Sequence, residues 1–367
     1  MKILFLTFGT EIIPSSRTRV YQYLPFFKND GTYYKVINNF NSAPYILTNI
    51  INSSNREENQ IMKRLINILL FYLVKITNLF NVIHSSFNII RAILVVIIFK
   101  YDMVFIQKVF FPVFILRFLK KCGKKIVFDF DDAIYNLDGI FRNRERFNEL
   151  LPLYDLVVIE NEECKDYVES HGNKKTLLIT GPIDTERYFP HYISNKPSIT
   201  IGWIGSPSTQ KYLEIISETL SKLGKKYKNI NFKTIGSKDI RTKDINLIQK
   251  NWTLETEVKD LSDFDIGIMP LPDDNWTRGK GGYKLLQYMA MGIPCCASPI
   301  GINKELIREG ENGFLVESQD EWFNALSNLI ENEELRKTLG SNGRDIAEAR
   351  YSFNFYYKTL KERLNKL

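Results

Sequence analysis

Residues 265–301 read DIGIMPLPDDNWTRGKGGYKLLQYMAMGIPCCASPIG. Four elements alternate here: strand, long loop, helix, strand. DIGIMPL is a short apolar run ending in Pro270 and Pro272, as at the exit of a buried strand. PDDNWTRGKGG is turn chemistry with three cations close by, Arg278, Lys280 and Lys284. YKLLQYMAM is helical, with Leu285, Leu286, Met289 and Ala290 on one side, and Gly292 ends it as a residue tolerant of positive φ. IPCCAS is the next buried strand.

The loop-to-helix joint carries the chemistry. Gly281 and Gly282 have no Cβ, so a ligand can approach their backbone closely. The first N–H groups of a helix lack internal acceptors, and its macrodipole favours an anion at that end. Arg278, Lys280 and Lys284 add positive charge, and together these features suit a diphosphate. The competing reading is a surface loop whose charges are simply solvated.

This stretch resembles the donor-binding segment of family 4 retaining glycosyltransferases, which have the GT-B fold. Their usual pattern has two glutamates separated by seven residues. Here the second is replaced by Gln287 and the first falls at Gly279, so the acidic contact to the donor sugar is not carried over. The branch with K-x-x-[FY]-K-L-L-[EQ]-Y-M-A-x-G matches better, through Lys280, Tyr283, Lys284 and Gln287. The resemblance implies an α/β architecture of two Rossmann-like, doubly wound domains facing across a cleft. An acceptor-binding domain would span residues 1–190 and a nucleotide-sugar domain 198–351. The C-terminal helix, 352–367, would cross back to the first domain. It implies a UDP- or GDP-linked sugar donor, a saccharide or lipid-linked acceptor and retention of anomeric configuration, with no required cofactor.

Length and composition agree with two domains. The chain has 367 residues, 44% of them hydrophobic, enough for two packed cores. Its net charge of +7 is uneven: residues 1–128 hold 17 Lys and Arg against 5 Asp and Glu. The basic half points to an anionic surface or acidic partner there; no nucleic-acid partner is expected. Cys122, Cys164, Cys295 and Cys296 show no ligand spacing and read as core residues of a reducing compartment. With only His84, His171 and His191 beside them, no zinc site is expected. MKILFLTF reads as a first strand and not a leader, which makes the expected location cytoplasmic.

After that strand comes Gly9, then IIPSSRTRVYQYLPFF, expected as one helix capped by Ser15 or Ser16. Arg17 and Arg19 lie near its start, at the end of the sheet where ligands bind, or else they are merely solvated. No G-x-G-x-x-G follows the strand, which disfavours a dinucleotide site. In the resemblance Gly9, Arg17 and Arg19 belong to the acceptor side. Residues 56–100 carry apolar runs with basic spacers Lys75 and Arg91. None reaches the ~18 uncharged residues of a spanning helix. They read as core helices, or as part of an interfacial surface over residues 56–125 that docks on anionic lipid at the inner face of a membrane.

KKIVFDFDDAIYN is a strand with an acidic exit, Asp129, Asp131 and Asp132. Acids this close repel one another, which a site would explain. Helix capping and pairing with Arg142, Arg144 or Arg146 would explain it too. Asn161 precedes a helix, and TERYFPHYISNKPS is linker chemistry. Gly205 and Ser206 then open a second loop able to hold phosphate oxygens. Trp252 ends a strand, either beside a nucleobase or in the core. The candidate set is therefore Asp131, Asp132 and Lys280 for catalysis. Gly205, Ser206, Trp252, Arg278, Lys280, Gly281, Gly282, Tyr283, Lys284 and Gln287 are the candidates for the donor.

Overall fold

The computed structural model describes residues 1–38, 84–136, 144–190 and 197–367. Much of the apolar stretch 56–100, together with Arg142 and the middle of the linker, lies outside the described residues. The chain folds as two compact units. One comprises Met1–Asp129 with Glu149–Val157, the other Phe130–Asn148 with Val158–Leu367.

The first sheet contains β1 (Lys2–Thr7), β2 (Tyr33–Asn38), β3 (Met103–Gln107), β4 (Lys125–Asp129), β5 (Leu156–Ile159) and β6 (Thr176–Leu178), in the order β2-β1-β3-β4-β5-β6. β1 runs parallel to β2 and β3, and β3 parallel to β4. Continuous apolar runs such as MVFIQ are what a strand covered on both faces requires, and all five of its residues are buried. The direction of travel across the sheet reverses between β1 and β3, which creates a crevice at their carboxyl ends.

The second sheet contains β7 (Ile199–Ile204), β8 (Ile230–Ile235), β9 (Asn246–Lys250), β10 (Ile266–Met269), β11 (Cys295–Ala297) and β12 (Gly313–Leu315). Its order, β12-β11-β10-β7-β8-β9, is that of a doubly wound dinucleotide fold, and neighbouring strands run parallel. Here the reversal lies between β7 and β10. Cys295 and Cys296 are adjacent in β11, so they must face opposite ways. Cys295 does join the core with Tyr288 and Leu286, and Cys296 the core with Trp203 and Trp322. Gly267 in β10 leaves room for Tyr288, whose ring lies 2.4 Å from where a Cβ would stand. The Tyr288 hydroxyl accepts from the Ile204 N–H at 3.1 Å and so ties the helix Tyr283–Ala290 to the end of β7.

Some local expectations are corrected. The helix after β1 begins at Pro14 with Ile13 as its N-cap, so Ser15 and Ser16 do not cap it. Pro at the first position suits a helix start, because its missing N–H is one that lacks an internal partner anyway. That helix ends at Arg19, and a second one, Leu24–Asn29, starts with Pro25 in its first turn. A Pro25 inside one continuous helix would have lost an N–H bond and clashed with the preceding turn. The segment after β12 forms two successive helices, Gln319–Glu331 and Glu333–Tyr351. Asn332 lies between them and accepts from the Leu335 N–H at 2.9 Å. The short helix after β11 runs from Asn303 to Leu306. Cys122 is exposed and not in the core.

Candidate functional site

The crevice between β7 and β10 is built from two loops. The first leaves β7 at Gly205, whose N–H donates to the Ile235 carbonyl at 3.0 Å. Ser206, Ser208 and Thr209 follow as a hydroxyl cluster, with Ser206 Oγ 2.7 Å from Ser208 Oγ. A cavity of about 710 Å³ opens beside it, lined in part by Ser208, Lys211, Arg241 and Lys243.

The second loop leaves β10 at Pro270. Ser298 accepts the Leu271 N–H at 3.0 Å. Asp274 then caps the short helix Asn275–Arg278, accepting from Trp276 and Thr277, while the Thr277 hydroxyl accepts the Asp274 N–H. This capping box turns the chain so that Gly279 meets Ala133 and Lys280 meets Asp132. Asn161 braces the turn: its Nδ2 donates to the carbonyls of Gly279 at 3.0 Å and Lys280 at 3.3 Å. Its Oδ1 caps the helix Glu162–Ser170 through the Cys164 N–H. Gly281 packs on the buried Glu160 carboxylate, and a Cβ there would stand 1.9 Å from Glu160 Oε2. Gly282 has φ 69° and is the N-cap of the helix Tyr283–Ala290. Its left-handed backbone excludes ordinary side chains.

The three cations separate into different roles. Arg278 is half-exposed and forms a two-pronged pair with Asp273, at 2.6 and 3.1 Å, beside a cavity of about 320 Å³. Lys280 is largely covered. Its Nζ lies 3.9 Å from Asp132 and 5.1 Å above the Trp276 ring. Lys284 Nζ sits 4.8 Å from the Trp203 ring, and its stem packs against Gly205. Burial lowers the Lys284 ammonium to about 7, Lys280 adds to that shift and Asp132 opposes it. A group in that state regains its proton readily when an anion arrives. Asp132 itself has φ 55°, an uncommon backbone for a non-glycine residue, which can be held only by its surroundings.

Residues 198–332 match the family described as Glycosyl transferases group 1. This part of the chain is a glycosyl transferases group 1 domain. An uncharacterized glycosyltransferase of Methanocaldococcus jannaschii is 24% identical over 206 residues. The match covers 53% of this chain, and the chain spans about half of that relative (55%). Among solved structures, a glycosyltransferase from Rickettsia africae has a TM-score of 0.69 at 14% identity, covering 98% of this chain and 97% of that one. Anabaena HepE in complex with UDP has a TM-score of 0.63 at 14% identity, with both chains fully covered. The sucrose-phosphate synthase of Thermosynechococcus elongatus has 0.63 at 12%, covering 100% and 98%. The fold is GT-B.

In the group 1 domain Gln287 is buried, and its amide donates to Tyr188 Oη at 3.3 Å. Tyr188 donates to one oxygen of the buried Glu257 carboxylate and Trp252 Nε1 to the other. The Arg187 guanidinium stands 3.7 Å from Glu257. Burial next to Glu257 pushes the Tyr188 hydroxyl well above its ordinary value. Trp252 is therefore half-buried and fixed through its indole N–H. Tyr283 opens the helix and is half-buried against the core.

Asp131 and Asp132 lie in the same unit as the group 1 domain. Gly9, Arg17 and Arg19 lie in the other unit, at the reversal between β1 and β3. The Gly9 N–H donates to Ser16 Oγ, which donates in turn to Gln107 Oε1, both at 2.9 Å. Arg17 is buried and donates to the carbonyls of Glu11 and Ile12. Arg19 is buried in a pair with Asp129, its shortest contact 2.7 Å, which neutralises one of the three neighbouring acids. Arg144 donates to the Tyr167 hydroxyl at 3.1 Å. Among the described residues no group of three or more His, Cys, Asp or Glu is placed to hold a metal ion.

Sequence reasoning missed Glu160 and Glu257. Glu160 is one of four acids in the run IENEECKD, and nothing local marks it as the buried one. Glu257 begins the helix Glu257–Leu261, where an acid reads as ordinary dipole complementation.

Proposed function

We propose that this chain is a retaining hexosyltransferase. It would move a hexosyl group from a UDP- or GDP-linked sugar to a saccharide or lipid-linked acceptor in cell-surface glycan synthesis. The compartment we infer is the cytoplasm. The observation that carries the reading is the joint at Gly281 and Gly282. There a left-handed glycine starts a buried helix at the crevice of a group 1 domain, with Lys280 and Lys284 beside it. HepE, of the same fold, was crystallised with UDP and with UDP-glucose, which supports a nucleotide-sugar donor here.

In the proposed step the bond from sugar C1 to the diphosphate oxygen breaks and a bond from C1 to an acceptor hydroxyl oxygen forms. The hydroxyl proton leaves with the diphosphate, and attack on the face from which the diphosphate departs retains configuration. Lys280, Lys284 and the first N–H groups of the helix Tyr283–Ala290 would stabilise the charge growing on the diphosphate, which is electrostatic catalysis. Arg278 would join them by exchanging Asp273 for phosphate. Gly205 and Ser206 would contact the second phosphate, and Trp252 would flank the base. Asp131 or Asp132 would orient the acceptor. In the other unit, Gly9 and the buried Arg17 and Arg19 would act by holding the loop after β1 in place.

The test is release of nucleoside diphosphate from UDP- and GDP-hexoses, with and without saccharide acceptors. Slow release without acceptor, accelerated by one, supports transfer. Tight nucleotide binding with no release under any condition indicates a nucleotide-sugar-binding subunit. Exchange of a label at sugar C2 indicates an epimerase.

A further inference from the structure

We infer that the exposed face of the unit Met1–Asp129 is a docking surface for an anionic lipid bilayer. The inference goes beyond sugar transfer and does not require it. Residues 84–98 are helical, and their buried side is supplied by Asn88, Ile89, Ala92, Val95 and Val96. The opposite side should be polar in a helix that merely covers a sheet. Instead it exposes Phe87, Ile90, Leu94 and Ile98, with Phe87 62% and Ile98 65% exposed. On the helix Val113–Lys121 the exposed side carries Phe114, Arg117, Phe118 and Lys121, at spacings of three and four. Phe114 is 72% exposed.

The two helices belong to one surface. The connections from β2 to β3 and from β3 to β4 step in the same direction along the sheet. Right-handed crossovers then place both on the same face.

Charge selects the occupant. Residues 84–125 hold eight Lys and Arg and a single acid, Asp102, which is occupied by the Lys2 N–H at 2.7 Å. Lys35 lies 5.8 Å from the Phe99 ring and adds a cation to the same region. Aromatic and aliphatic side chains set among cations, with almost no acid, match the boundary between acyl chains and anionic headgroups. Among the described residues no helix is long and apolar enough to cross a membrane, so the contact lies on the surface of the bilayer.

The test is co-sedimentation of the full chain, without donor or acceptor, at low salt. One set of vesicles is phosphatidylcholine alone and the other is an equal mixture with phosphatidylglycerol. The chain is expected to sediment with the mixed vesicles only. Arg117→Glu with Lys121→Glu should weaken binding on the order of tenfold. Phe114→Ser with Phe118→Ser should weaken it similarly, with the melting temperature unchanged in both pairs because all four side chains are exposed. Three results overturn the proposal: wild-type chain that ignores anionic vesicles, variants that bind like wild type, or a dimer that the Phe pair converts to monomer without any vesicle affinity.

Discussion

Lys280 is the cation whose removal should tell most. It is largely covered, yet its one described ion pair is a loose one, 3.9 Å from Asp132. Lys280→Ala together with Arg278→Ala should lower nucleoside diphosphate release about 100-fold or more, the usual cost of removing a donor aimed at developing negative charge. The melting temperature should barely move, since Arg278 and Asp273 form an exposed pair of little worth. Lys284 makes a different prediction. Its folded value of about 7 lies below the ordinary lysine value, so between the two the unfolded chain binds more protons than the folded one. Stability should therefore rise with pH above about 7, and this slope should vanish in Lys284→Met. Diphosphate binding near pH 8 should take up a proton, read as a dependence of calorimetric heat on buffer ionisation enthalpy, and the variant should lose it. The residues of the joint were legible in the sequence because glycines, cations and a helix start fall within a few positions. The pairing at the exit of β4 was not: Arg19 and Asp129 are 110 positions apart, and no local pattern announces that one neutralises the other.

Among the elements, the turn 279–282 depends on a residue in another loop. Asn161 caps the helix Glu162–Ser170 with its oxygen and holds two carbonyls of the turn with its nitrogen. Asn161→Ala should cost about 1–2 kcal/mol, a lost cap plus buried bonds. Asn161→Asp keeps the capping oxygen but puts a carboxylate beside two carbonyls. It should keep the helix Glu162–Ser170 while lowering affinity for nucleoside diphosphate, measured by calorimetry beside circular dichroism. Periodicity showed which segments are helices and strands, because buried strands are continuously apolar and helices keep their stripes. It did not show where helices stop: Pro14, Pro25 and Asn332 set those ends through backbone N–H groups rather than through hydrophobic pattern.

At the scale of the whole molecule, the chain divides into two compact units, so a single unfolding transition is not expected. UDP or GDP at about 100 times its dissociation constant should stabilise the unit that binds it by about 2.7 kcal/mol. Calorimetry should then show the transition of the unit containing the group 1 domain moving up while the other stays. The doubly wound pattern was readable from alternating strands and helices, and the basic balance of residues 1–128 from counting alone. Which faces remain uncovered was not, since Phe87 and Phe114 look like core residues until the sheet and its helices are in place. Sugar transfer by this chain depends on where the diphosphate sits. A crystal structure with UDP or GDP should show the diphosphate against the N–H groups that open the helix Tyr283–Ala290, within reach of Lys280 and Lys284. Nucleotide bound elsewhere, with Gly281 and Gly282 making no contact, would contradict it.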